Sequence, residues 1–296
     1  MDRVIYFNIN YFCNNHCLFC FSSSTNSKFD RGSVSYEELL RRIRDIKANS
    51  TDLIVINGGE PTLHPEFYKL IDYFTDCCDA EIVVYTNGVS LNATRLPPCS
   101  KITFVVPIHG PATVHNAITQ NSASFRATMA HLCELDRLNF RYTLKFIINE
   151  QMIQKDFNIR AFLLENNLSP VEVVLARLNE TKNSRENHYA VPRPIRIQKY
   201  LNCQIQALQS CVPLKLLDIP PCFVKDIVTP KDIHISQGNP KFFFNDCDNN
   251  MEQRNYYKQV KIGNHCIGCA FEKLCDLMSG SYLTLACHNG WVIEPE

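Results

Sequence analysis

Three cysteines stand close together near the start of the chain, in Cys13-Asn14-Asn15-His16-Cys17-Leu18-Phe19-Cys20, a C-x3-C-x2-C spacing. They directly follow the apolar run Val4-Ile5-Tyr6-Phe7-Asn8-Ile9, which puts them in a loop at the end of an expected strand. Thiolates are soft ligands, and three in so short a loop suit an iron-sulfur cluster better than zinc, whose structural sites take four protein ligands. A 4Fe-4S cube held through Cys13, Cys17 and Cys20 keeps one iron open to a chelator from outside the chain. A chance grouping of structural cysteines is the bland alternative, and other parts of the chain decide between the two.

Those residues need a frame. Six β-rich apolar runs recur with helical patterns between them: Val4 to Asn10, Leu53 to Asn57, Glu81 to Tyr85, Ile102 to Ile108, Tyr142 to Ile148 and Val171 to Leu175. Several are near-continuous in Val, Ile and Phe, as strands covered on both faces are. Ser35-Tyr36-Glu37-Glu38 opens an amphipathic stretch with Leu39, Leu40, Ile43 and Ile46 at helical spacing, with Ser35 and Glu38 as a capping box. Further helices are expected over His64 to Phe74, Ser124 to Leu138, Asp156 to Leu168 and Pro194 to Cys211. Alternating strands and helices imply βα units and a parallel sheet, hence an α/β fold. A partial (β/α)6 barrel fits, and a doubly wound open sheet is the rival. Either arrangement gathers chemistry at the C-terminal ends of the strands.

The remaining motifs fall at those ends. Gly58-Gly59-Glu60-Pro61 follows the second strand, where two glycines let the backbone approach a neighbour closely and Pro61 stiffens the exit. Thr86-Asn87-Gly88 ends the third; a tight turn explains it, yet no hairpin partner follows at once. The fourth ends Val106-Pro107-Ile108-His109-Gly110, followed by His115-Asn116-Ala117-Ile118-Thr119 and Ser124-Phe125.

With the cysteine triad, this set resembles the radical S-adenosylmethionine (radical SAM) superfamily from Arg3 to about Tyr282. The family signature has this cysteine spacing and an aromatic before the last cysteine, here Phe19. The resemblance implies a partial barrel and a 4Fe-4S cluster on Cys13, Cys17 and Cys20. It further implies SAM bound to the open iron through its amino and carboxylate groups, and an electron that cleaves SAM to a 5′-deoxyadenosyl radical. It assigns Gly58, Gly59, Glu60 and Pro61 to the methionine amino group, and Thr86 and Asn87 to the adenosyl group. The fourth-strand segment departs from the family pattern: Pro107 replaces a serine, Asn116 an aspartate, and Thr119 an arginine that serves the SAM carboxylate. Lys145 and Arg177, on or just past strands five and six, are candidates for the missing cation, with ordinary ion pairing as the alternative. His109 at the mouth is the candidate catalytic residue, in contact with cofactor or substrate; a satisfied structural histidine is the alternative, and the more so for His115.

Beyond Cys211 the helical rhythm stops, and Pro213, Pro220, Pro221, Pro230 and Pro240 punctuate a loop-rich tail. Two domains are therefore expected, 1–211 and 212–296. The tail carries Cys266-Ile267-Gly268-Cys269, Cys275 and, upstream, Cys222. Four cysteines suit a zinc ribbon, although two C-x2-C knuckles are usual there and this tail has one. The arrangement resembles the SPASM/twitch extensions of radical SAM enzymes, which implies a second, auxiliary 4Fe-4S cluster on Cys222, Cys266, Cys269 and Cys275, with Cys247 as rival to Cys222. Cys77, Cys78, Cys99 and Cys133, on or beside expected helices, read as small buried hydrophobes.

Composition excludes several classes. Lys plus Arg equals Asp plus Glu at 30 each, so no overall field draws the protein to nucleic acid or an anionic membrane. No run approaches the ~20 apolar residues of a membrane span and no signal-peptide pattern opens the chain, so a cytoplasmic protein is expected. Fifteen cysteines, an odd number, suit metal or cluster ligation better than disulfides. The expected function is a radical SAM enzyme acting on a ribosomally made precursor peptide, supplied with electrons by a donor such as flavodoxin or ferredoxin. A small-molecule radical SAM dehydrogenase is the runner-up. A zinc-stapled binding module is the rival from another class, and it separates by colour: brown protein with about eight irons per chain against colourless protein with zinc.

Overall fold

The structure, a computed structural model, describes residues 3–21, 32–98, 101–178, 181–220, 223, 224 and 227, and the backbone of 241–245 and 251–253. Seven parallel strands lie side by side in chain order: β1 (Arg3–Asn8), β2 (Leu53–Asn57), β3 (Glu81–Tyr85), β4 (Ile102–Ile108), β5 (Arg141–Ile148), β6 (Glu172–Arg177) and β7 (Leu214–Leu217). A doubly wound sheet reverses its strand order at a switch point. Here every step from β1 to β7 goes the same way, and right-handed crossovers then place the helices on one side and curl the sheet into a partial barrel. On the other side of β1, β8 (Lys241–Asn245) pairs in parallel and β9 (Met251–Gln253) adds antiparallel.

The helices are α1 (Tyr36–Ile46), α2 (Phe67–Cys77), α3 (Ala112–Thr119), α4 (Ser124–Arg137), α5 (Glu150–Gln154), α6 (Ile159–Glu165), α7 (Lys182–Glu186) and α8 (Pro194–Leu208). Period-two alternation sorts the strands into two faces. Ile5, Phe7, Ile54, Ile56, Ile82, Val84, Phe104, Val106, Ile108, Leu144, Phe146, Ile148, Val173 and Leu175 join one buried core with α1, α2, α4, α6 and α8. The opposite, concave face is mixed: Tyr6, Asn8, Asn57, Tyr85, Pro107, Thr143, Lys145 and Glu172. An apolar convex layer thus leaves the polar groups for the cavity side.

Differences from the expected elements have local causes. Ser35 caps α1 by accepting from Glu38 N at 3.3 Å, but the Glu38 side chain turns to Arg41 and Arg42 in place of closing a capping box. A 3-10 turn over Pro61–Leu63 precedes the stretch expected as His64 to Phe74, whose helix starts later, at Phe67, and runs to Cys77. Asp156 adopts left-handed backbone (φ 48°), which delays the fourth expected helix to Ile159, and Asn158 caps α6 by accepting from Ala161 N. A seventh strand was not foreseen: Leu214–Leu217 is four residues long beside Pro213, too short to show a period. Cys78 is buried as expected, but Cys77 and Cys133 are exposed, and Cys99 lies outside the described residues. Cys133 sits one residue past buried Leu132, about 100° around the helix.

Candidate active site

The cysteine loop grows out of β1 and is clamped to the turn after β2. Ile9 N donates to Asn57 O at 3.0 Å, Gly59 N to Asn10 O at 3.0 Å and Glu60 N to Phe12 O at 2.9 Å. Asn10 Nδ2 returns a bond to Glu60 O at 2.8 Å. A Cβ on Gly58 would lie 2.5 Å from Asn10 Oδ1, and one on Gly59 2.3 Å from Phe12 O. The close approach that these glycines permit is therefore to the cysteine loop itself. At its other end the loop leans on α3, with His16 N donating to Thr119 O at 2.9 Å and Leu18 N to Ile118 O at 3.0 Å. Asn187, just past α7, donates from Nδ2 to Leu18 O at 3.1 Å.

Glu60 is buried and binds the neighbouring turns together. Its Oε1 accepts from Thr62 N, Thr62 Oγ1 and Thr86 Oγ1, the last two at 2.7 and 2.6 Å, while Oε2 accepts from Asn87 N at 2.7 Å. Burial raises its pKa against the pull of these donors. Asn87 in turn donates from Nδ2 to Asn14 Oδ1 at 2.7 Å and to Cys13 Sγ at 3.6 Å, and Asn15 N also donates to Cys13 Sγ. Gly88 takes φ +75°, the left-handed region open to glycine, and its amide bonds Thr86 Oγ1. Thus Gly58 to Pro61, Thr86, Asn87 and the cysteine loop form one hydrogen-bonded constellation at the ends of β1 to β3. Asn10, at its centre, was missed by sequence reading; its signal was a polar residue closing an apolar run.

A second group of side chains sits across the mouth. Phe19 is buried, edge-on to His109 with ring centroids 5.2 Å apart, and 5.2 Å from Tyr189. His115 is the satisfied histidine: Nδ1 accepts from His109 N at 3.3 Å and Nε2 lies 3.1 Å from Ser124 Oγ. His109 stacks on it at 5.3 Å, yet its own ring makes no hydrogen bond among the described residues, and Nδ1 is buried without a partner. Burial, then the neighbouring His115 and Lys145, hold the His109 pKa well below its ordinary value, so the ring is neutral. Lys145 faces the concave side, its ammonium 5.5 Å from the Tyr85 ring centroid. Arg177 does not join it: it pairs in register with Ile148, on the helix-facing side, and donates from Nε to Asp218 O at 2.8 Å. Asn116 clamps its own loop, accepting from Phe125 N and donating to Ser122 O. Nothing in the sequence singled out Tyr189, which reaches Phe19 from 170 positions away and bonds Gln151.

The family model that matches this chain is the radical SAM superfamily, over residues 7–149, the stretch that builds the constellation just described. Residues 7–149 are a radical SAM domain. The mycofactocin maturase MftC of Mycobacterium ulcerans is 30% identical over 135 residues, covering 45% of this chain and 36% of that protein. The chain thus spans about a third of the length of that relative. Among solved structures, Streptococcus suis SuiB bound to precursor peptide SuiA superposes with a TM-score of 0.64 at 13% identity, covering 97% of this chain and 73% of that one. The enzyme anSMEcpe with bound AdoMet gives a TM-score of 0.58 at 14% identity, covering 72% and 61%. At those identities the two structures bear on the fold.

A radical SAM domain implies a 4Fe-4S cluster and SAM, and the residues present fit. Cys13, Cys17 and Cys20 are half-buried in one loop fixed at both ends, and Cys13 Sγ already accepts amide donors, as cluster thiolates do. Burial, with the neighbouring thiols adding to it, pushes the Cys13 thiol up to about 11 and raises that of Cys17. Thiols so placed ionise when a cation is there to hold them. Among the described residues no three His, Cys, Asp or Glu groups converge on a single metal ion; a cube instead takes one thiolate on each of three irons. Cys222, Cys247, Cys266, Cys269 and Cys275 lie outside the described residues. No helix among the described residues is long and apolar enough to cross a membrane.

Proposed function

We propose that this protein reductively cleaves SAM and uses the radical on a ribosomally made precursor peptide. The observation that carries this is the single constellation of cysteine loop, Gly58-Gly59-Glu60-Pro61 turn and Thr86-Asn87-Gly88 turn at the ends of β1 to β3. When bound, cluster and SAM supply a 5′-deoxyadenosyl radical that abstracts a C–H hydrogen. The chain's own part is to hold and exclude: Cys13, Cys17 and Cys20 ligate, Asn10 and Glu60 fix the turns, and Phe19 with Tyr189 covers the mouth. The backbone around Gly58 to Pro61 and Asn87 is the platform for SAM.

A peptide substrate is supported by the maturase named above and by the SuiB complex with its precursor peptide. In this reading the segment expected as 212–296 first completes the barrel edge with β7 and beyond it is a twitch-like extension with an auxiliary cluster on Cys222 (or Cys247), Cys266, Cys269 and Cys275, and a cytoplasmic flavodoxin or ferredoxin delivers the electron. Anaerobically reconstituted protein should form 5′-deoxyadenosine with dithionite, followed by chromatography. The Cys13→Ala, Cys17→Ala, Cys20→Ala triple variant should not, while keeping its circular dichroism. Cleavage of SAM by a folded triple variant would overturn the assignment.

A further inference from the structure

Lys145 is placed unlike an ordinary surface lysine. It alternates with the core residues Leu144 and Phe146 on β5 and pairs in register with Pro107 and Val174, so the strand fixes it on the concave face. Among the described residues its ammonium has no hydrogen-bond or ion-pair partner; its one specific contact is the face of Tyr85 at 5.5 Å. Such a contact offsets little of the cost of drawing an ammonium even part-way out of water. Burial accordingly lowers the Lys145 pKa, and among the described residues Asp218 is the charge that acts against this.

His109 lies on the same side of the sheet, two residues beyond Pro107, and is 3% exposed. Its ring is fixed by stacking on His115 and by the edge of Phe19, not by hydrogen bonds. The buried Nδ1 has no hydrogen-bond partner among the described residues, a cost that a bound polar group would relieve, and it is an observation independent of Lys145. One positive charge and one neutral imidazole call for an acceptor with several lone pairs and a charge of about −1. A carboxylate has both; a phosphoryl group carries nearly −2.

We propose that Lys145 and His109, with Tyr85 alongside, form a recess for a carboxylate of the substrate, so that the peptide carries an acidic side chain or free C-terminus close to the atom that reacts. This rests on the peptide-modifying reading above and narrows its substrate class. The substrate is favoured over SAM as the source because Lys145 stands two strands from Asn87, the residue that touches Cys13, about 10 Å along the sheet. That span suits a carboxylate on a second molecule better than one held at the Cys13 end.

The test uses reconstituted wild-type protein under anaerobic conditions and measures acetylation of Lys145 by peptide-mapping mass spectrometry, with exposed Lys199 as internal reference. The probes are acetyl-Gly-Gly-Gly as free acid, its C-terminal amide, acetyl-Gly-Glu-Gly amide, and SAM. The free acid or the Glu peptide should slow labelling of Lys145 at least threefold relative to Lys199, with the amide inert; which of the two protects tells a C-terminal from a side-chain carboxylate. The His109→Phe variant should lose most of that protection. Equal protection by the amide, none by any probe, protection by SAM alone, or a Lys145 that never labels would each overturn the recess. The same preparation is assayed for 5′-deoxyadenosine: missing protection in a protein that cleaves SAM counts against the recess alone, and missing cleavage counts against the radical reading.

Discussion

Gly59→Ala is the smallest change that probes the clamp between the cysteine loop and the turn after β2. The added methyl would lie 2.3 Å from Phe12 O and 2.7 Å from Tyr11 O, where ordinary contact begins at 3.4 Å. Both obstacles are backbone, so relief requires the two segments to part by roughly 1 Å. The bonds Gly59 N to Asn10 O and Glu60 N to Phe12 O, now 3.0 and 2.9 Å, would stretch beyond hydrogen-bonding range. Two lost backbone bonds cost about 2 kcal/mol together, and residual strain adds about 1–3 kcal/mol. At about 2–4 °C per kcal/mol for a domain of this size, melting should fall by roughly 10 °C. Because the displaced segment carries Cys13, iron content after reconstitution should fall as well. Anaerobic thermal melting paired with iron assay checks both. A Gly59→Ala protein that melts within about 2 °C of wild type and holds its full iron would refute the packing argument.

Other substitutions separate roles that the sequence alone leaves mixed. Glu60→Gln puts an amide donor against Thr86 Oγ1 or Asn87 N and should cost about 2–4 kcal/mol by urea unfolding; an unchanged midpoint would remove Glu60 as the tie between turns. His115→Phe loses both ring bonds and should cost about 2 kcal/mol or more. His109→Phe, with no ring bond to lose, should stay within about 1 kcal/mol of wild type while lowering substrate turnover, and a large stability loss there would count against its being held for a ligand. Changing Cys266 and Cys269 to Ala should remove about four irons per chain and leave SAM cleavage in place; retained iron would end the case for an auxiliary cluster.

How much was legible in the sequence differs by element. β2, β3 and β4 were found to the residue because continuous Val/Ile runs end in Gly, Asn or Pro turns, and β1, β5 and β6 were found with ends shifted by one or two residues. α3 was hidden because its His115, Asn116 and Thr119 read as motif instead of helix. Motif spacing located Cys13 to Cys20, Gly58 to Pro61 and Thr86 to Gly88, but not that Glu60 spends its carboxylate on Thr62, Thr86 and Asn87. Arg177 and Lys145 looked equivalent as cations; register alone sends them to opposite faces, and register is a property of paired strands.

The bond from Asn187 to Leu18 closes a loop of 169 residues, and Tyr189 reaches Phe19 over a similar span. The cysteine loop therefore reaches its final shape only after about two thirds of the chain has been made and β6 has docked. At roughly 5–20 residues per second, synthesis alone delays that moment by about 8–34 seconds after Cys20 emerges. Three reduced thiols remain uncovered through the interval. Loading of the cluster is thereby a late step, timed by the chain's own topology, and oxidants reach the nascent loop before its aromatic cover does.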